Sequence, residues 1–172
     1  MPNTPVSSQA FCSYVTGYVD GEGCFSVSFS RRAALRTGWE VRPSFSVSQN
    51  GDRAEVLHLM MEYFQCGSIR PDRSDKTLKY EVRNVRDLVT RIIPHFRSHP
   101  LLSGKRQDFE RFANVCELVA QGAHLTTDGF REIAATAVAM NPSGRRKFTV
   151  VELLGDRGFK VIVSASGDGG ST

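Results

Sequence analysis

The hydrophobic period of the chain changes abruptly at residue 24, and that change limits what can follow. Phe11, Tyr14, Val15, Tyr18 and Val19 recur at the three-and-four spacing of a helix face that Ser7 or Ser8 can cap. From Cys24 the period is two: Phe25, Val27 and Phe29 alternate with Ser26, Ser28 and Ser30. After a basic loop from Arg31 to Gly38, Val41, Phe45 and Val47 alternate with Arg42, Ser44, Ser46 and Ser48. Two such runs predict an antiparallel pair with one apolar and one polar face. Asp20-Gly21-Glu22-Gly23 separates the two periods, its glycines permitting an abrupt helix exit. Carboxylates at a helix C-terminus are unfavourable, because the macrodipole is negative there. A positive group is therefore expected beside Asp20 and Glu22, and a divalent cation held by carboxylate and carbonyl oxygens is one candidate. A glycine-acidic loop with solvated carboxylates is the alternative.

The pattern then repeats. Gln49-Asn50-Gly51-Asp52 breaks the second strand, and Asp52 can cap a second helix carrying Val56, Leu57, Met60, Met61 and Phe64. A second hairpin runs from Ser68 to Arg73, turns at Ser74-Asp75 and returns from Thr77 to Arg83, with Leu78, Tyr80 and Val82 inward and Lys79, Glu81 and Arg83 outward. Helix three takes Val85, Leu88, Val89, Ile92, Ile93 and Phe96. A further helix takes Phe109, Phe112, Val115, Cys116 and Val119, and Thr126 or Thr127 caps a last one through Phe130, Ile133, Ala134, Ala137 and Met140. The fold class is α+β: an αββαββα unit with a four-stranded antiparallel sheet and helices on one face, plus C-terminal helices.

At 172 residues with 40% apolar content the chain can bury one proper core. Its apolar runs are too short for a bilayer and its N-terminus lacks a signal pattern, so a soluble intracellular protein with no membrane partner is expected. Cys12, Cys24, Cys66 and Cys116 form no CxxC pair and read as reduced core thiols, while His58, His95, His99 and His124 show no ligand spacing. The net charge is +4. Cations crowd the stretch from Arg70 to Arg106, which suits phosphates or an ordinary solvated surface. Arg145-Arg146-Lys147 invites the same two readings. Three segments follow: a flexible leader at 1–8, one domain at 9–147, and an extension at 148–172 ending in a Gly/Ser-rich tail expected to be partly disordered.

The nonapeptide Val15-Thr16-Gly17-Tyr18-Val19-Asp20-Gly21-Glu22-Gly23 resembles the motif of the LAGLIDADG homing endonucleases, and the αββαββα order over residues 9 to about 120 matches that family's core. The resemblance implies a saddle-shaped sheet lying in the DNA major groove. It implies a site-specific endonuclease, with hydrolysis of one phosphodiester on each strand giving staggered ends, most naturally encoded in an intron. One copy of the motif implies a homodimer, with Thr16, Gly17 and Asp20 at the helix interface and a pseudo-palindromic double-stranded DNA target. Mg²⁺ or Mn²⁺ is the implied cofactor, with Glu22 and the Gly21 carbonyl as ligands. Gln49 and Arg53 fall where the family orders water, and Lys105, with Arg106 in reserve, falls where it places a basic catalytic residue. Base and phosphate reading then falls to Ser28, Ser30, Arg32, Arg42, Ser44, Ser46, Arg70, Lys79, Glu81 and Arg83. The alternative within the family is a splicing maturase, with host intron RNA as partner, or a non-cleaving DNA-binding regulator. Glu22, Gln49, Arg53 and Lys105 together favour cleavage.

Overall fold

A computed structural model of the chain describes residues 8–72, 76–141 and 148–154. Helix α1 (Ser8–Glu22) leads into β1 (Gly23–Arg31) and β2 (Trp39–Asn50). A 3₁₀ turn at Gly51–Arg53 precedes α2 (Glu55–Phe64), and β3 (Ser68–Pro71) and β4 (Thr77–Val82) form the second hairpin. Helix three is built of α3 (Val85–Asp87), a π-helical stretch Leu88–Ile92 and α4 (Ile93–Ser98). Then come α5 (Lys105–Ala120), α6 (Thr127–Val138) and α7 (Val150–Leu154). The sheet order is β1-β2-β4-β3 with every neighbouring pair antiparallel, so the expected αββαββα core and four-stranded sheet are present. Among the described residues no helix is long and apolar enough to cross a membrane.

The apolar strand face packs against the helices in a main core, beside a smaller cluster around Trp39, Val115 and Phe130. Val15 and Val19 of α1, Phe25 of β1, Phe45 and Val47 of β2, Tyr80 and Val82 of β4, and Phe109 and Phe112 of α5 are all buried in the main core. Pro43 sits in β2 beyond the last residue paired with β4, where a missing N–H costs no ladder bond on that side.

Several local expectations need correction. Helix α1 runs through Asp20, Gly21 and Glu22, and the strand starts at the next residue. Neither Gly21 nor Gly23 takes a left-handed backbone; among the described residues those glycines are Gly38, Gly67 and Gly122. Gly23 is needed for room instead, since a Cβ there would stand 2.5 Å from Val19 Cγ1 and 2.8 Å from the Val19 carbonyl oxygen. Asp52 does not cap α2, because it lies in the 3₁₀ turn and Ala54 occupies the cap position without a side-chain bond. Thr126 does cap α6, accepting from the Gly129 N–H at 3.2 Å. Residues 148–154, placed by the sequence in an extension, add to the domain: Phe148 meets Trp39 edge-on at 4.8 Å and Leu153 is buried beside Trp39 and Ile133. Residues 1–7, Arg73 with the turn at Ser74-Asp75, the Arg145–Lys147 cluster and residues 155–172 lie outside the described residues.

Candidate nucleic-acid interface

Strand register gathers the polar positions into one surface. Ser26, Ser28 and Ser30 of β1 stand opposite Ser44, Arg42 and Glu40 of β2, Ser46 and Ser48 of β2 face Glu81 and Lys79 of β4, and Arg70 of β3 faces Lys79. Side chains two apart share a strand face, so Ser28, Ser30, Arg42, Ser44, Ser46, Arg70, Lys79 and Glu81 lie on one side of the sheet, opposite the core. Arg32 and Arg83 continue β1 and β4 by one and one residue beyond their ends.

These positions are not equally free. The Glu81 carboxylate is 7% exposed and accepts from Ser44 Oγ at 2.9 Å, Arg70 Nη2 at 2.6 Å and Arg83 Nε at 3.0 Å. Burial would raise its pKa, but the Ser44 hydroxyl and the Arg83 and Arg70 charges outweigh that and hold it below the ordinary carboxylate value. In this arrangement Glu81 aims two arginines across the face, a different role from accepting a hydrogen bond from a cytosine. Ser44 and Ser46 are buried as well, and Arg32 pairs with Glu40 at 3.1 Å. Arg42 stands exposed, its backbone carbonyl accepting from Ser28 Oγ at 3.3 Å and its side chain bonded to no described residue.

A Glu81→Gln variant should lose about 1–2 kcal/mol at neutral pH, since two half-exposed arginines keep water while the buried acceptor loses its charge. Its folded pKa is lowered, so the wild-type advantage is complete above the unfolded carboxylate pKa and fades as pH falls through the folded one. Urea titrations of both proteins across the acid range check this. A gap that widened on acidification would contradict the assignment.

At one end of this face lies the acidic end of α1. Glu22, its last residue, is exposed and makes no hydrogen bond or ion pair with a described residue. The positive group expected there is Lys105, whose Nζ donates to the carbonyl oxygens of Val19 at 2.9 Å and Gly21 at 3.3 Å. A cation on the last carbonyls of a helix satisfies orphan acceptors and the macrodipole together. Burial pulls the Lys105 pKa below its usual value, and the nearby negative charges of Asp20 and Glu22 offset only part of that.

Asp20 has an internal task. Its carboxylate accepts from the N–H groups of Leu102 (3.1 Å) and Ser103 (3.0 Å) and from the Ser103 hydroxyl, pinning the segment that delivers Lys105. Burial alone would raise its pKa; the bonds from Ser103 and Leu102 and the Lys105 charge carry it below the ordinary value. Thr16 is also turned inward, 8% exposed, with its hydroxyl bonded to the His95 ring of α4 and to the backbone carbonyl of His99 just beyond it. Of the three residues expected at a helix interface, only Gly17 faces outward, and added Cβ atoms at Gly17 and at Gly21, one turn on, would meet nothing within 4 Å.

Gln49, two residues past the Gly23–Val47 pair, donates from its side-chain amide to the Tyr18 hydroxyl, which places it beside the end of α1. Arg53 is exposed in the 3₁₀ turn rather than in α2 and makes no bond to a described residue. Arg106 is exposed one residue beyond Lys105. Sequence reasoning overlooked Ser103 and Tyr18. Ser103 carried a signal: its hydroxyl accepts from the Lys105 N–H at 3.1 Å, the habit of a serine just ahead of a helix. Tyr18 carried none, since it reads as one more residue of an apolar helix face.

An αββαββα domain whose first helix ends in carboxylates beside a lysine, at the edge of a serine- and arginine-rich sheet face, is the build of one class of protein. Residues 15–116 match the family described as LAGLIDADG endonuclease, and the chain belongs to that family. It is 32% identical over 127 residues to probable intron-encoded endonuclease 3 of Neurospora crassa, covering 73% of this chain and 24% of that protein. The chain thus spans about a quarter of the length of that relative. Among solved structures it is similar to the homing endonuclease I-TnaI, at 34% identity and a TM-score of 0.72 over 76% of this chain and 87% of that one. The archaeal intron-encoded homing endonuclease I-Vdi141I, complexed with DNA, gives 25% identity and a TM-score of 0.79 over 85% and 93% of the two chains.

Proposed function

We propose that this chain is a site-specific DNA endonuclease that acts as a homodimer on a long pseudo-palindromic duplex. The observation that carries the reading is one juxtaposition: an exposed Glu22, unpaired among the described residues, and the Lys105 ammonium share the end of α1, at the border of a polar sheet face bearing Arg42, Arg70, Lys79 and Arg83. The relatives named above are a probable intron-encoded endonuclease and two homing endonucleases, one of them complexed with DNA, which brings double-stranded DNA to this chain as the proposed ligand. Glu22 and Gly21 suit a hard divalent cation such as Mg²⁺, because both offer oxygens and a carbonyl that takes one Lys105 proton keeps a second lone pair. Such an ion would activate water and neutralise the phosphate's growing charge. Glu22 would hold it, and Lys105 would offer fixed positive charge where the scissile phosphate becomes more negative. Gln49 would orient water from its Tyr18-anchored position, while Arg42, Arg70, Lys79 and Arg83 would bind phosphates and base edges. The open positions at Gly17 and Gly21 let two α1 helices approach closely, which supports the homodimer and puts one Glu22 near each strand.

The test is a cleavage selection: the full chain with Mg²⁺ against a randomised duplex library, cut ends sequenced, beside an EDTA control. One pseudo-palindromic site with staggered ends, seen only with metal, is the expected result. Enriched binding with no cuts would overturn the endonuclease reading and leave a DNA-binding protein.

A further inference from the structure

Three side chains outside the proposed chemistry converge beneath α1. Cys12 of α1, His95 of α4 and His99, the residue just past α4, each bring a ligand-type atom within 4.8 Å of the other two. Cys12 and His95 are buried and His99 is half-buried. The histidines stand four apart, His95 within α4 and His99 at its C-cap, and their rings stack with centroids 5.0 Å apart, a pairing that the backbone's departure from the helix at His99 hides in the sequence.

Hydrogen bonding orients both imidazoles. The Thr16 hydroxyl donates its one proton to the His99 carbonyl at 3.2 Å, so it accepts from His95 Nε2 at 3.1 Å. His95 therefore presents a bare Nδ1, which the Tyr63 hydroxyl meets at 3.0 Å, and the Tyr63 oxygen lies 3.2 Å from Cys12 Sγ. His99 Nδ1 stands 3.3 Å from the His95 carbonyl and donates there, leaving an Nε2 that bonds no described residue. Each ring thus anchors one N–H on oxygen, and in its neutral form offers the other nitrogen as a lone pair, the way metal-bound histidines are held. Burial, with His99 stacked alongside, pulls the His95 pKa down to about 4, so the ligating neutral form persists at pH 7.

We propose that Cys12, His95 and His99 bind one soft divalent ion of the zinc class, with water in the fourth tetrahedral position. A thiolate and two imidazoles favour such an ion over Mg²⁺, which prefers an all-oxygen site. Bonds of about 2.3 Å to sulfur and about 2.0 Å to nitrogen require the three atoms to close by on the order of an ångström, within reach of side-chain rotation. On binding, the Cys12 thiol releases its proton to solvent, the thiolate and the two imidazoles donate lone pairs, and no oxidation state changes. The Tyr63 O–H, its Nδ1 acceptor taken, turns to the thiolate. The ion fastens the N-terminal half of α1 to α4, while Asp20 fastens its C-terminal end to the segment before α5.

The test titrates the chelator-stripped full chain with Co²⁺. Expected are a thiolate-to-cobalt charge-transfer band saturating at one ion per chain, visible bands of a tetrahedral site, bleaching by Zn²⁺, and indifference to excess Mg²⁺. Cys12→Ser should abolish the charge-transfer band and His99→Gln should weaken binding at least tenfold. Thr16→Val, which frees the His95 ring, should weaken it by about 10- to 100-fold. Cys24→Ser, on the outer face of β1, should leave the band unchanged. If Cys12→Ser fails to fold, the half-exposed His99 position decides. A wild-type spectrum without charge transfer, or a band that survives Cys12→Ser or disappears in Cys24→Ser, overturns the site.

Discussion

Glu22→Gln should abolish cleavage while leaving the protein folded and bound to its target. The change removes one negative charge and keeps the shape, and Glu22 has no partner within the described chain to lose. Stability should therefore stay within about 0.5 kcal/mol of wild type, as for surface substitutions away from any special contact. The cleavage rate should fall by about a thousandfold or more, roughly 4 kcal/mol of transition-state stabilisation, the scale lost when a site can no longer hold charge against the reacting group. Binding measured in Ca²⁺ or without metal should hold within a few-fold, because the phosphate and base contacts belong to the sheet. Three measurements on one preparation, thermal unfolding, duplex binding and single-turnover cleavage, separate the outcomes. A falling Tm or lost binding would make Glu22 a structural residue and move the chemistry elsewhere.

The same end of α1 shows where a sequence is readable and where it is not. The change from helix to strand, at Gly23 in the structure and one residue later in the hydrophobic period, is a local matter of side-chain pattern, so Glu22, the strand faces and the order of elements could be read directly. Thr16 and Asp20 could not be placed that way. Both sit in the motif beside Gly17 and Gly21, yet their orientation is set by His95 and His99 for one and by Leu102 and Ser103 for the other, about eighty residues on. The identity of a polar residue says that it wants a partner, and only the fold says which. Glu81 teaches the same lesson on the sheet: alternation put it on the outer face, while its burial followed from β3 and β4 bringing Arg70 and Arg83 to the same carboxylate. The Cys12–His95–His99 cluster has the least sequence signal, since α1 and the end of α4 with the residue after it, far apart in the chain, build it. Helix α7 was missed for another reason: five residues are too few for a helical period, and its place comes from Phe148 and Leu153 packing near Trp39.

Phe25→Ala should cost about 3–5 kcal/mol, a large part of what holds a domain of this size together. Phe25 is 1% exposed and its ring lies 5.3 to 5.4 Å from those of Phe45, Phe96, Phe109 and Phe112, drawn from β2, α4 and α5. Truncation removes the transfer energy of the ring and leaves a cavity walled by four other aromatic groups, which cannot all collapse into it. Those same rings fix β1 three residues after Glu22, so the site is expected to loosen along with the core. The prediction is a shift of the urea midpoint to lower concentration with an unchanged m value, which marks lost stability rather than a changed unfolded state. Phe25→Leu, which keeps most of the volume, should cost less than half as much. A loss below about 1.5 kcal/mol for Phe25→Ala would mean that α4 and α5 can close over the gap, and that the aromatic cluster is a softer support for the end of α1 than its geometry indicates.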